Sequence, residues 1–286
     1  MDRTWLITGS ARGLGRMIVE AALVAGDTVV ATARNPGRLD DLVGRFGSKI
    51  RAYALDVTNE AEANRAVEFA LHEFGAIDVL VNNAGYGHIV PFEQTDAQAF
   101  RDQVETNFFG VVNLVRAVLP HMRKRRDGHI INVSSVGGRG SVPGLSAYQS
   151  AKWAVSGFSE VLAKETSAFG IKVIALEPGG MRTDWGTIAS EQRVELLKEY
   201  EPSVGALLKY LESYFGSEIG DPRKVADVVV DLVGRDDLPA HLLLGSDALA
   251  VYASAEGERQ RALEEWAEVS RSVDIEETDL GFLNKI

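Results

Sequence analysis

Short apolar runs alternate along the chain with longer segments in which apolar residues recur at helical spacing. Apolar or β-branched runs of about four to eight residues are typical of buried strands, and apolar residues at every third or fourth position are typical of helices. Segments 15–26 and 60–75 have the helical pattern. The strand pattern predicts seven strands, near Thr4–Thr8, Thr28–Ala33, Ile50–Leu55, Val79–Asn82, His129–Val133, Val173–Glu177 and Leu242–Leu244.

This alternation of strands and helices indicates the fold class. Strands that are apolar along their whole length are buried on both faces, as in a parallel sheet covered by helices on each side. Right-handed crossovers between such strands produce a doubly wound, Rossmann-type α/β fold. No repeat, linker or low-complexity block divides residues 1–286, so the sequence predicts a single domain.

Two segments fall outside the alternation. Segment 185–220 has no predicted strand; its apolar residues mark one face of a helix, at Val204, Leu207, Leu208, Leu211, Tyr214 and Phe215. Residues 246–286 follow the last strand as a helical extension. We expect an apolar stripe of this extension to pack on the body of the protein and to border the substrate entrance or a subunit contact; it comprises Leu249, Tyr252, Leu263 and Trp266.

Composition narrows the class of protein. The chain is 45% apolar and 25% charged, as in soluble globular proteins, and has no uninterrupted apolar run long enough for a membrane span. The N-terminal residues do not have the pattern of a signal peptide, and there is no cysteine, so a cytoplasmic location without disulfides is expected. A net charge of −11 argues against a nucleic-acid partner. The five histidines lack ligand spacing, so no metal site is predicted.

A glycine-rich turn, TGSARGLG at Thr8–Gly15, directly follows the first predicted strand. In a parallel α/β sheet, ligands bind at the carboxyl ends of the strands, where free N–H groups at a helix N-terminus attract a pyrophosphate. Glycines allow the backbone to approach such a ligand closely. The spacing here is G-x-x-x-G-x-G and not G-x-G-x-x-G, and a glycine-rich turn by itself does not establish a nucleotide site.

Further motifs follow this turn in a specific order. They are LDV at 55–57, NNAG at 82–85, Asn107, SS at 134–135, YQSAK at 148–152 and PGGMRT at 178–183. In this order and spacing the chain resembles the short-chain dehydrogenase/reductase family over residues 4 to about 184 and at the last strand. The resemblance implies an oxidoreductase that exchanges a hydride between a nicotinamide cofactor and a carbonyl or alcohol. The stretches EPGGMRT and LLLGSDA further resemble the hydroxysteroid- and retinol-dehydrogenase branch.

The resemblance assigns four catalytic residues. Tyr148 and Lys152 are spaced i, i+4 and so lie on one helix face. Tyr148 would give a proton to the carbonyl oxygen. The lysine ammonium would lower the tyrosine pKa and bind the nicotinamide ribose. Ser135, thirteen residues before Tyr148, would hold the substrate oxygen, with Ser134 as the competing choice. Asn107 would support a proton relay through the lysine. The alternative interpretations are a surface Tyr–Lys pair, a strand-capping serine and a local backbone hydrogen bond of the asparagine.

The resemblance also implies a set of cofactor-binding residues. Asp56 would accept a hydrogen bond from the adenine amine, with a helix N-cap as its alternative role, and Thr183 would contact the carboxamide. The whole set comprises Gly9, Ser10, Arg12, Gly13, Leu14, Gly15, Arg34, Asp56, Val57, Asn83, Ala84, Gly85, Tyr148, Lys152, Pro178, Gly179 and Thr183.

Two arginines indicate which nicotinamide cofactor is used. Proteins that select NAD usually place an acidic residue near the end of the second strand, where it binds the ribose 2′-hydroxyl. Here that strand ends in ATARN, so Arg34 occupies the position of the acid, and Arg12 lies in the glycine turn. Two guanidinium groups can bind a 2′-phosphate, so NADP(H) is the expected cofactor, although either arginine alone could be a surface charge.

The substrate side is the segment that, by resemblance, forms a lid after Thr183. Its apolar residues favour a hydrophobic ketone, aldehyde or alcohol, unless that face only packs on the body of the fold. Two rival functions remain, a catalytically silent NADP(H)-binding sensor or scaffold and a sugar-nucleotide epimerase or dehydratase. Relatives commonly pair through the helices that carry Asn107 and Tyr148, which implies a homodimer or homotetramer. The lid residues are Trp185, Leu207, Leu211, Tyr214 and Phe215.

Overall fold

Seven parallel strands form one sheet in the computed structural model, which describes residues 2–189, 194–275 and 281. Their order across the sheet is β3-β2-β1-β4-β5-β6-β7, as the doubly wound prediction requires. Every pairing in the sheet is parallel. The strands are β1 (Thr4–Ile7), β2 (Thr28–Ala33), β3 (Ile50–Ala54), β4 (Val79–Asn82), β5 (Gly128–Val133), β6 (Ile171–Pro178) and β7 (His241–Leu244).

Helices connect the strands and cover both faces of the sheet. Two π-helical turns, at Glu105–Phe109 and Glu201–Gly205, each lead directly into an α-helix. The α-helices are α1 (Gly13–Val24), α2 (Asp40–Phe46), α3 (Glu60–Phe74), α4 (Ala97–Val104), α5 (Gly110–Arg125), α6 (Ser146–Thr166), α7 (Trp185–Ala189), α8 (Ala206–Tyr214), α9 (Pro222–Leu232), α10 (Ser246–Glu265) and α11 (Ala267–Arg271).

Two hydrophobic cores lie on opposite faces of the sheet. Successive side chains of a strand point to opposite faces. Trp5 and Ile7 of β1 therefore pack in the core that contains residues of α1 and α9, while Leu6 packs in the core that contains residues of α3, α5 and α6. Inner strands such as β1 and β4 are buried along their whole length and read as continuous apolar runs, which is why the sequence pattern located them.

The crevice of the sheet lies between β1 and β4. The chain passes outward from β1 to β2 and β3 and then returns to β4, and ligands of doubly wound folds bind at this reversal. At the carboxyl ends of the two strands, the Thr8 hydroxyl accepts hydrogen bonds from the backbone N–H groups of Asn83 (3.0 Å) and Ala84 (3.1 Å). These bonds fix the glycine turn against the NNAG segment.

The segment over the carboxyl edge has a small core of its own. Ile89 and Leu145 of the body are buried there with Ala189 and Val204 of the lid, and Leu207 packs against the same cluster. The described lid residues contain no strand, as predicted; their only β contact is an isolated bridge between Met181 and Gly220.

The C-terminal extension differs from the expectation. Of its predicted apolar stripe, only Tyr252 is half-buried, beneath the guanidinium of Arg139, while Leu249, Leu263 and Trp266 are 57–61% exposed. The reason is that α10 contacts the body through a stripe that includes Ala248, Tyr252 and Ala255 and shares only Tyr252 with the predicted one. Residues 276–280 and 282–286 of the predicted extension lie outside the described part of the chain. Among the described helices, none is both long and apolar enough to cross a membrane.

Candidate active site

A cavity of about 1260 Å³ opens at the carboxyl edge of the sheet, over the reversal between β1 and β4. It collects residues that are distant in sequence because the carboxyl ends of parallel strands meet at one edge. Nearly all the predicted site residues line it, namely Gly9, Arg12, Gly13, Leu14, Arg34, Asp56, Val57, Asn83, Ala84, Gly85, Asn107, Ser135, Tyr148, Lys152, Pro178, Gly179 and Thr183.

Ser10 and Gly15 are the predicted cofactor-binding residues that do not line the cavity. Ser10 is fully buried; its hydroxyl donates to the Ile7 carbonyl oxygen (2.8 Å) and its backbone N–H donates to that of Thr32 (2.9 Å). At Gly15, a Cβ atom would collide with the Asn83 side chain and the Gly9 carbonyl oxygen. These contacts give both residues a role in shaping the turn, and their assignment as cofactor contacts stays a prediction.

The glycine turn forms a cradle at the N-terminus of α1. Gly9 and Gly13 have φ angles of +66° and +54°, a region that L-residues with side chains rarely adopt. A Cβ at Gly13 would meet only the Thr183 side chain, at 3.8 Å across the cleft. No side chain caps the first turn of α1 and no acidic residue lies in it, so its N–H groups are available to an anion. The cradle fits the pyrophosphate of a dinucleotide.

The three central catalytic candidates meet on the opposite wall. The Tyr148 hydroxyl is hydrogen-bonded to Ser135. Lys152 Nζ donates to the Val133 carbonyl oxygen (2.8 Å) and lies 5.6 Å from the centre of the Tyr148 ring. Helix α6 therefore presents both of its candidates to the cavity, as the i, i+4 spacing predicts.

The protonation behaviour of this pair differs from the simple expectation. Burial raises the pKa of Tyr148 to about 12, against a smaller lowering by the Ser135 hydrogen bond. Burial lowers the pKa of Lys152 to about 8. The predicted lowering of the tyrosine pKa by the ammonium is therefore not seen, because both groups lie in a poorly solvated wall where their charged forms are disfavoured. A neutral phenol is the form that can donate a proton.

The structure separates the two serines that the sequence left as competitors. The Ser134 hydroxyl is buried and committed to the Lys152 carbonyl oxygen (3.0 Å) and to the Ser156 hydroxyl (2.8 Å). The Ser135 hydroxyl accepts from the Gly137 N–H (3.0 Å) and faces Tyr148. Ser135 thus both caps the short helical turn after β5 and contacts the candidate proton donor, so its two interpretations are compatible.

Asn107 lies in the π-helical turn between α4 and α5, where the backbone hydrogen bonds span five residues in place of four. Its Nδ2 donates to the carbonyl oxygens of Tyr86 (2.7 Å) and Gln103 (2.8 Å). Its Oδ1 is buried and has no hydrogen-bond partner among the described residues. At Gly85, a Cβ would touch both this oxygen and Lys152 Nζ, so a buried acceptor lies beside the lysine.

The part of the cavity beside the glycine turn and the end of β2, where the expected NADP(H) would place its adenosine, carries a cluster of positive charge. Arg12 and Arg34 are exposed, line the cavity and form no ion pair within the described residues. Arg38, which was not among the predicted residues, lines the same cavity. Asp56 also lines it, with Oδ1 engaged by the Thr58 N–H (3.0 Å). Its alternative role as a helix cap is wrong, because the cap of α3 is Asn59.

The part of the cavity between Tyr148 and the lid, where the substrate is expected, is mostly apolar. The Trp185 ring lies 5.2 Å from the Tyr148 ring, and Leu211, Tyr214 and Phe215 of the lid line the cavity as well. Leu207 of the same predicted face does not line it and packs in the lid core instead, so both interpretations of this face hold for different residues.

Several lining residues were absent from the predicted set. Gln149 and Val142 are two of them, and a third, Val251, belongs to α10, so the extension borders the cavity through a residue outside its predicted stripe. The only sequence signal for Gln149 is its position next to Tyr148. Among the described residues, no cluster of three or more histidine or acidic side chains could hold a metal ion.

Relatives of this chain are found among proteins of known family. The sequence profile described as short chain dehydrogenase matches residues 3–193. The oxidoreductase BOA17 of Botryotinia fuckeliana is 47% identical over 272 residues, which cover 94% of this chain and 98% of that protein. The 3-ketodihydrosphingosine reductase of Bacteroides thetaiotaomicron is 36% identical, over 87% of this chain and 90% of that protein.

Solved structures are similar over most of the chain. A short-chain dehydrogenase from Streptomyces avermitilis has a TM-score of 0.88 at 38% identity, over 96% of this chain and 100% of that chain. A 3-ketoacyl-(acyl-carrier-protein) reductase from Brucella melitensis complexed with NADH has a TM-score of 0.72 at 27% identity, over 85% and 96% of the two chains. ElxO with NADP bound has a TM-score of 0.72 at 28% identity, over 87% and 100%.

Proposed function

This chain belongs to the short-chain dehydrogenase family, and we propose that it is an NADP(H)-dependent oxidoreductase that interconverts a hydrophobic ketone or aldehyde and its alcohol. The observation that carries this proposal is the meeting of Ser135, Tyr148 and Lys152 on one wall of the cavity. A protein that only bound a dinucleotide would need the glycine cradle but not this arrangement.

The side chains of that wall can perform the proton transfer of carbonyl reduction. When bound, the reduced nicotinamide supplies the hydride that adds to the carbonyl carbon. The Ser135 hydroxyl holds the carbonyl oxygen, and Tyr148, kept neutral by its raised pKa, gives its proton to the same oxygen. Lys152 balances the charge that develops on the phenol oxygen, and Asn107 Oδ1 offers an acceptor beside the lysine. In alcohol oxidation the proton moves in the opposite direction.

The preference for NADP(H) is supported by the charges at the adenosine end of the cavity. Arg12 and Arg34 have no carboxylate partner within the described residues, so their charges are free to bind a 2′-phosphate. Arg38 adds a third cation at the same end. The carboxylate expected of an NAD-selective site is absent from the end of β2, where the chain reads Ala33, Arg34 and Asn35.

A hydrophobic substrate is supported by the lid. Trp185, Leu211 and Phe215 present aromatic and aliphatic surface to the cavity, next to the Tyr148 ring. The name of one relative, 3-ketodihydrosphingosine reductase, also supports an apolar ketone as the substrate class.

The test is the oxidation of NADPH, followed at the absorbance of the reduced nicotinamide, with a panel of hydrophobic ketones, aldehydes and quinones. NADH is assayed in parallel. Turnover with at least one carbonyl is expected, with NADPH preferred. Tight NADPH binding without turnover of any carbonyl would favour the silent scaffold, and conversion of a sugar nucleotide without net cofactor change would favour the epimerase.

A further inference from the structure

Gln149 occupies the wall of the substrate end, one residue after Tyr148 on α6. It is 9% exposed, and its Oε1 accepts a hydrogen bond from the Val142 backbone N–H at 3.0 Å. A backbone N–H can only donate, so the atom that faces Val142 must be the amide oxygen. The orientation of the side-chain amide is therefore determined by this contact, and its NH₂ group points away from Val142.

The NH₂ group lies next to Ser135. A Cβ placed on Gly137 would be 3.2 Å from Gln149 Nε2 and 3.3 Å from Ser135 Oγ, so both atoms border the same small space. Because residue 137 is a glycine, no side chain fills that space. Gln149 Nε2 has no hydrogen-bond partner among the described residues, although an amide nitrogen carries two donors.

A donor in an apolar cavity selects for an acceptor on the substrate, because a buried polar group without a partner costs free energy. The reacting carbonyl oxygen is already assigned to Ser135 and Tyr148. The acceptor for Gln149 must then be a second oxygen of the same molecule, close to the first because the two donors border one space.

We infer, on the basis of the proposed function, that Gln149 is a specificity-determining residue that donates a hydrogen bond to a second carbonyl oxygen of the substrate. The substrate class is a hydrophobic dicarbonyl compound in which the second carbonyl lies one or two carbons from the one that is reduced. The aromatic side chains of Trp185 and Phe215 bind its apolar groups.

The test compares ketones that differ only in the second carbonyl. Benzil is paired with deoxybenzoin, and dibenzoylmethane with 1,3-diphenylpropan-1-one. For each pair, the ratio of kcat/KM values is measured in the wild type and in Gln149→Met, so that the different intrinsic reactivities of the ketones cancel. We expect the variant to lower the ratio about three- to tenfold for at least one pair, with kcat/KM for the monoketone within about twofold of wild type.

Gln149→Glu is the matched control. An ionised glutamate keeps an acceptor for the Val142 N–H but has no N–H donor, so it should lower the ratio at least as much as methionine. Recovery of the wild-type ratio in this variant would mean that only the support of Val142 matters and would overturn the inference. An unchanged ratio, an equal loss for both members of a pair, or no activity on any of the four ketones in an enzyme that reduces others would also overturn it. An enzyme inactive on every carbonyl would instead refute the proposed function.

Discussion

The carboxylate of Asp247 accepts a hydrogen bond from the backbone N–H of Gly180 at 2.7 Å, which joins the first turn of α10 to the turn after β6. Pro178, the last residue of β6, and Gly179, the first residue of that turn, both line the cavity. A Cβ on Gly179 would collide with the same carboxylate, so the contact is close along the whole turn. The C-terminal extension therefore supports the cavity floor.

Replacement of Asp247 by alanine should loosen this turn. A hydrogen bond to a charged group contributes about 1.5–3 kcal/mol, so we expect a lower melting temperature together with a higher KM for NADPH. Asp247→Asn, which keeps an acceptor oxygen, should retain most of both properties. Thermal denaturation and cofactor kinetics provide the measurements, and an alanine variant equal to wild type in both would contradict a supporting role.

Tyr148→Phe removes one hydroxyl group from the cavity wall. If this hydroxyl donates the proton, turnover should fall by about 10²–10⁴, while the melting temperature and NADPH affinity stay close to wild type. Ser134→Ala is a useful comparison, because that hydroxyl is buried in contacts with the body of α6 and should affect stability more than proton transfer. Retention of more than about a tenth of the turnover would refute the assignment of Tyr148.

Cofactor preference should depend on Arg12 and Arg34. Each charge-assisted bond to a 2′-phosphate contributes about 1.5–3 kcal/mol, so wild type should prefer NADPH over NADH by about 100-fold or more. Arg12→Ser combined with Arg34→Asp should remove this preference, and added salt should weaken it in the wild type because both arginines are exposed. The preference for NADPH is measured from KM and kcat for both cofactors at two ionic strengths. A wild type that prefers NADH would show the cofactor assignment to be wrong.

Stability at mildly acidic pH should depend on His129 of β5. Burial lowers the pKa of this histidine from 6.5 to about 4, and its Nε2 has no hydrogen-bond partner among the described residues. The unfolded state thus binds more protons between these two values, so stability should fall as the pH drops from about 6.5 towards 4, by about 3 kcal/mol at most. In His129→Gln, the free energy of unfolding measured with urea should lose this part of its pH dependence. A change of that free energy with pH equal to that of the wild type would contradict the prediction.

Much of the fold and the candidate site follows from the sequence alone. Strands buried on both faces, such as β1 and β4, are continuous apolar runs, and the residues that follow them reach one edge of the sheet because parallel strands share a direction. Nearly all the residues that the motifs predicted for the site therefore line the cavity. The i, i+4 spacing likewise placed Tyr148 and Lys152 on the same wall, because helix geometry is local.

Other features required the tertiary structure. The role of Ser10 depends on a contact with Thr32 of the neighbouring strand, and the pKa of Tyr148 depends on burial by the lid and body, neither of which spacing reveals. The face of α10 that packs inward was misjudged because apolar residues recur on more than one side of that helix.

The clearest example is Gln149. The sequence determined that it follows the candidate proton donor on α6, but only the fold brings Val142 to its amide oxygen and the space beside Gly137 to its amide nitrogen. Local periodicity determines which residues share a helix face or a strand, since it depends on backbone geometry alone. Which groups from distant segments come within hydrogen-bond distance depends on packing, and so it was decided by the tertiary structure.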